Sequence, residues 1–143
     1  MLHYIVYAST SKELYDEVQL SALLSKSRNN NSRLDITGML LYMEGTFVQV
    51  LEGTEESLQS TFSKICRDSR HHSIITLLKG ELKERNFSDW SMGFRAFNKE
   101  AVFHIPGYKN MKEEKLLEDK INTSPHPAMI MLRSFYQNNQ RYL

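Results

Sequence analysis

The chain has a single cysteine, Cys66, among its 143 residues, so no disulfide can close within it. A lone thiol suits a reducing compartment. Charge bias is also missing: 18 Lys and Arg face 17 Asp and Glu. No field strong enough to gather a nucleic-acid backbone follows, and no block of like charge forms a basic arm, so nucleic acid is not an expected partner. No apolar run approaches the roughly 18 residues of a membrane helix. The start, Met1-Leu2-His3-Tyr4-Ile5-Val6-Tyr7, has neither a basic segment nor a small-residue cleavage site. The expected location is therefore the cytoplasm, with no membrane partner. Absent too are G-x-G-x-x-G, P-loop, H-E-x-x-H and G-x-S-x-G motifs. With no cluster of acid, base and nucleophile, an enzyme is not expected.

What remains is ordinary globular material, 41% apolar and 24% charged, enough for one compact domain with a short appendage. Leu2 to Ala8 reads as a buried strand, closed by Ser9-Thr10-Ser11 with Ser11 as the helix cap. Leu14, Val18, Leu20, Leu23 and Leu24 recur at helical spacing, and the helix is expected to stop in the polar run Arg28-Asn29-Asn30-Asn31-Ser32. Ile36–Tyr42 and Thr46–Glu52 form a hairpin about Met43-Glu44-Gly45. Thr54 caps a second helix whose stripe is Leu58, Phe62, Ile65 and Cys66, ending near Asp68. Strands follow at Ile74–Leu82 and Trp90–Phe97. The order β-α-β-β-α-β-β predicts an α+β, ferredoxin-like βαββαββ fold, both helices lying on one sheet face because crossovers are right-handed. The other face needs a cover. Two C-terminal helices can supply it, one through Met111, Leu116, Leu117 and Ile121, the other after Ser124-Pro125 through Met129, Leu132, Phe135 and Tyr136. Pro106-Gly107 is the expected break between core and tail.

Most chemically capable residues have plain explanations. His71 and His72 are adjacent, point apart in extended chain, and read as a capping or surface pair after a helix rather than metal ligands. Cys66 falls in an apolar stripe and reads as core. Glu55-Glu56 complements a helix N-terminus, and the charges of Lys112–Lys120 suit a solvated helix face. Three features stand out more. Gln49 interrupts the apolar strand Phe47-Val48-Gln49-Val50-Leu51, where a buried amide must find partners. It could also simply face solvent. Tyr7 ends the first strand, and Asn29-Asn30-Asn31 joins helix to strand. Each alone is better explained by packing, exposure or a turn.

Together with their surroundings they resemble one family. Ile5-Val6-Tyr7-Ala8-Ser9, Arg28-Asn29-Asn30-Asn31, Ile36-Thr37-Gly38, Phe47-Val48-Gln49-Val50-Leu51-Glu52-Gly53, Asp68-Ser69-Arg70-His71-His72 and Phe87-Ser88-Asp89-Trp90-Ser91-Met92 are similar in order and spacing to the BLUF sensors of blue light, which use FAD. The resemblance runs from about Leu2 to Phe97. It implies a flavin ring between the two helices, with Leu23 and Ile65 on its faces and Asn31, beside Asn30, on its polar edge. Gln49 would lie between flavin and Tyr7, with Lys64 and Asp68 near the ribityl chain or ring edge. Relatives often carry arginine at the position of Lys64; lysine keeps the charge and loses the planar fork. The resemblance also implies that Tyr7 supplies an electron and a proton, that Gln49 rearranges its hydrogen bonds, and that Trp90 and Met92, on the strand beside Gln49, pass the change on.

Residues 1–98 are therefore the expected flavin-binding domain and 99–143 a helical extension serving as cap and output. FAD is the expected cofactor, with FMN or riboflavin able to use the same site. No cyclase, phosphodiesterase or kinase segment follows, so the expected partner is a separate downstream protein, with self-association into a homo-oligomer. The competing readings are a flavin-free ferredoxin-like interaction module, with Gln49 on the surface, and a small flavin reductase.

Overall fold

In the computed structural model, residues 1–13, 15–43, 45–69, 71–88, 91–96, 119 and 122–139 are described. Among these residues eight elements follow in order: β1 (Leu2–Ser11), α1 (Glu17–Arg33), β2 (Thr37–Met43), β3 (Thr46–Thr54), α2 (Glu55–Arg67), β4 (His71–Leu82), β5 (Gly93–Ala96) and α3 (Pro127–Asn139). The sheet runs β4-β1-β3-β2-β5. Its first four strands pair antiparallel in the ferredoxin-like order, and β5 joins the edge parallel to β2.

Period-two alternation divides the core in two. Tyr4 and Val6 of β1, Met39 and Leu41 of β2, and Val48 and Val50 of β3 share one cluster with Ala128, Met129 and Leu132 of α3. Ile5 and Tyr7, Leu40 and Tyr42, and Phe47 and Leu51 join the other, under Leu20 and Leu24 of α1 and Leu58 of α2. The two predicted helices thus share one face and a C-terminal helix covers the opposite one. The expected helix through Met111, Leu116, Leu117 and Ile121, and the break at Pro106-Gly107, lie outside the described residues.

Several boundaries differ from expectation. Ser11 does not cap α1; it stays in β1, pairing with His71 on β4, and its N–H donates to Gly45 O at 2.7 Å. The cap is Asp16, in a reciprocal box with Gln19. The asparagine run is helical rather than a turn, since α1 continues to Arg33. Its amides have partners on α2 and the 91–92 segment, which offset their weak helix propensity. Val18, counted in the apolar stripe, is 77% exposed. Cys66, read as core, is also exposed, on the outer side of α2. β4 begins at His71, three residues earlier than predicted. β5 spans only Gly93–Ala96 of the predicted Trp90–Phe97, and both of those end residues lie outside the described residues. The proline opening α3 is Pro127, not Pro125. The cap is His126, whose carbonyl accepts from Ile130 N–H and whose Nδ1 accepts from Ala128 N–H at 3.1 Å.

The hairpin between β2 and β3 turns at Gly45, whose φ of 98° suits glycine. Gly38 permits a closer approach still: a Cβ there would lie 2.0 Å from Val50 O.

Candidate functional site

A cavity of about 300 Å³ opens between α1, α2 and the sheet. Each helix presents it one stripe at i, i+3, i+4, i+7 spacing. On α1 the stripe includes Leu23, Lys26, Ser27 and Asn30; on α2 it is Thr61, Lys64, Ile65 and, at the C-cap, Asp68. Asn30 Nδ2 donates to Thr61 Oγ1 at 3.1 Å, tying the two helices together. Tyr7, Leu40, Phe47, Gln49 and Leu51 form the sheet side.

Tyr7 and Gln49 are direct cross-strand partners in the β1–β3 ladder. Parity sends both side chains to the helix face, where they are 4% and 5% exposed. The Tyr7 hydroxyl donates to Gln49 Oε1. On its other side, Gln49 Nε2 donates to Met92 Sδ at 3.4 Å. A thioether accepts weakly and cannot donate, so the amide nitrogen belongs toward Met92 and the oxygen toward Tyr7. Burial pushes the Tyr7 phenol far above its ordinary pKa, and negative charge at Cys66 and Asp68 acts in the same direction. Tyr7 is therefore a neutral donor across the accessible pH range.

Met92 does not reach Gln49 from a neighbouring strand, as expected. The neighbours of β3 are β1 and β2, and β5 pairs with the far side of β2. Met92 precedes β5 and reaches over β2. Two α1 side chains hold it there: Arg28 Nε donates to Met92 O at 3.1 Å, and Asn31 Nδ2 to Ser91 O at 2.6 Å.

Tyr7, Leu23, Asn30, Asn31, Gln49, Lys64, Ile65 and Asp68 all line the one cavity. Met92 joins through Gln49, and Trp90 lies outside the described residues. Sequence reasoning missed Lys26, Ser27 and Thr61, although helical spacing from Asn30 and Lys64 would have found them. It also missed Tyr15, for which no periodic signal exists, and the half-buried bridging role of His71. His71 Nε2 lies 2.7 Å from Ile65 O, a carbonyl that can only accept, so this nitrogen carries the proton. In the neutral ring Nδ1 then accepts from Ser9 Oγ at 2.9 Å. The capping role expected of the pair thus belongs to His71, while His72 is exposed. Among the described residues, no group of His, Cys, Asp and Glu could hold a metal.

A family model described as sensors of blue-light using FAD (BLUF) matches residues 2–93. Photoactivated adenylate cyclase subunit beta of Euglena longa is 33% identical over 89 residues, which is 62% of this chain and 10% of that protein. The blue light- and temperature-regulated antirepressor BluF of Escherichia coli (strain K12) is 32% identical over 92 residues, 64% of this chain and 23% of that protein. The chain thus spans about a tenth to a quarter of the length of these relatives. Among solved structures, Klebsiella pneumoniae BlrP1 with FMN and cyclic diGMP superposes with a TM-score of 0.74 at 31% identity, covering 99% of this chain and 36% of that one. The dark-state structure of BlrB, a BLUF protein, superposes at 0.65 and 28% identity, covering 91% and 89%.

Proposed function

This chain belongs to the BLUF family of blue-light sensors that use FAD, and from that premise we propose that Tyr7, Gln49 and Met92 are its switch. The observation that carries the proposal is Gln49 held between a phenol donor and a thioether acceptor in a cavity wall. The cavity suits a flavin ring. Leu23 and Ile65 offer apolar surface from opposite helices, and Asn30, Asn31 and Gln49 bring carboxamides, which match both the carbonyls and the imide N–H of the ring's polar edge. Lys64 and Asp68 suit the ribityl end. The flavin, when bound, supplies blue-light absorption and, once excited, a strong one-electron oxidant.

The chain's own residues supply the rest. Tyr7 holds its proton and an oxidisable phenol beside the cavity. Its hydroxyl is the stronger of the two contacts that orient Gln49, because sulfur is a weak acceptor. Any event that takes the proton from Tyr7 Oη removes the donor facing Gln49 Oε1. The amide can then present NH2 where it presented oxygen, by rotating or tautomerising, with no net charge moved. Met92 and the 91–92 backbone, gripped by Arg28 and Asn31, would carry that change toward β5 and, with Trp90, into the sheet.

In this reading residues 1–98 sense, and residues 99–143 form the cap and output, with α3 on the opposite sheet face. The chain acts without catalysis of its own, in the cytoplasm, through a separate downstream protein and through self-association. The flavin-free alternative placed Gln49 on the surface, and its burial argues against that. Purified protein should be yellow, and blue light should red-shift its spectrum reversibly. Gln49→Leu should still bind flavin and lose the shift. A normal shift in that variant would break the assignment.

A further inference from the structure

α1 follows β1 and α2 follows β3, and those strands are antiparallel, so the two helices run in opposite directions. The Asn30–Thr61 hydrogen bond therefore gives a common origin on both walls of the cavity. Four residues toward the start of α1 stands Lys26; three residues toward the end of α2 stands Lys64. The displacements are roughly 6 Å and 4.5 Å of helical rise, and the opposed helices make both point the same way. Two lysines thus face one another across the cavity at one level. Both line it and both are exposed, so they stand at its mouth rather than among the buried amides.

A cavity of about 300 Å³ lies at the bottom of the range of roughly 300–1,000 Å³ for small-molecule sites. That size matches a flat tricyclic ring more closely than a whole dinucleotide. Whatever follows the ribityl chain must leave through the mouth. Asp68 and His71 also line the cavity, Asp68 one turn beyond Lys64 and His71 at the start of β4. The two lysines outweigh the one carboxylate of Asp68.

Building on the flavin-site reading, we infer that Lys26 and Lys64 are a phosphate clamp, so the site selects phosphorylated flavins, FMN and FAD, over riboflavin. Ammonium groups on flexible stems suit a mobile phosphate at an exposed mouth, where a fixed fork has less to gain. The preference should be modest and sensitive to salt, because exposed ion pairs are weak and screened.

The test is the dissociation constant of riboflavin, FMN and FAD with the full chain, read by quenching of flavin fluorescence at low and at 0.5 M-range salt. At low salt FMN and FAD should bind more tightly than riboflavin, by roughly two- to five-fold for each lysine engaged. The double variant Lys26→Gln/Lys64→Gln should bring the riboflavin-to-FMN ratio close to one, and high salt should do the same to the unaltered chain. Lys26→Arg/Lys64→Arg should keep the preference. Equal affinities for all three flavins in the unaltered chain would overturn the clamp and leave the flavin site standing. So would a ratio that survives in the double glutamine variant, including one that stays the same while all three flavins weaken together. If none of the three binds, the flavin-site reading itself fails, and the clamp with it.

Discussion

Tyr7 combines the chemistry of the site with a cost to the fold at high pH. Its folded pKa lies above the unfolded value of about 10, chiefly through burial. Between those two values the unfolded chain binds fewer protons at this residue than the folded chain. Stability must therefore fall as pH rises above about 10, by about 1.4 kcal/mol per pH unit for this group alone. Below pH 10 Tyr7 is protonated in both states and contributes no pH dependence. Tyr7→Phe should flatten this alkaline limb in urea denaturation curves and abolish the blue-light response while retaining flavin. Parallel alkaline limbs in the two proteins would show that Tyr7 is not shielded. Residue identities were legible in the sequence to different degrees. Tyr7 and Gln49 fall on matching parity in two strands, so family spacing sufficed to pair them. Cys66 misled because its position at i+8 in the α2 stripe sits on the margin of the apolar arc, where one step of rotation decides exposure. The arrival of Met92 over β2 had no sequence signal, because tertiary grips from Arg28 and Asn31 determine it.

At the scale of elements, polar side chains fix where segments begin and where they dock. Glu52, fully buried on β3, accepts from Asn86 N–H at 2.8 Å, Phe87 N–H at 2.9 Å and Thr37 Oγ1 at 3.1 Å. Arg85 closes the arrangement, donating to Thr37 Oγ1, Glu52 O and Asp35. Asp35 takes a left-handed φ of 55° there, which a short polar side chain tolerates. Glu52→Ala strands at least two backbone donors and should cost about 2–5 kcal/mol. Asp16→Ala removes only the capping box of α1 and should cost about 1 kcal/mol. Equilibrium urea unfolding of the two variants distinguishes them; similar losses would mean that the Glu52 contacts reorganise freely. Strands and the α2 cap were legible because alternation and a Thr-x-x-Ser start are local. The start and end of α1 were not. Ser11 was captured by pairing with β4, and the asparagines are held in helix by partners distant in sequence.

For the molecule as a whole, one sheet separates two apolar layers with different tasks. The α1–α2 side holds the cavity; the α3 side is packed. Leu132, fully buried against Val48, Val50 and their neighbours, should cost about 2–5 kcal/mol when changed to alanine. A loss within about 0.5 kcal/mol, as for surface substitutions, would show that α3 adds nothing to the folded state. This cover was legible in the sequence because a two-helix, one-sheet arrangement leaves a bare face, and the tail carried apolar residues at helical spacing. Both faces of β3 being apolar has a further consequence. Where only one face is buried, hydrophobic pattern alone tells a strand which way to lie. Along β3 it cannot, since Phe47 and Leu51 would satisfy either layer about as well as Val48 and Val50. Gln49 and Glu52 break the tie. A slip of one residue would carry the amide away from Tyr7 and the carboxylate away from Asn86 and Phe87, stranding each in hydrocarbon. The glutamine proposed to register light thus also serves as a key that lets the strand seat in one alignment only.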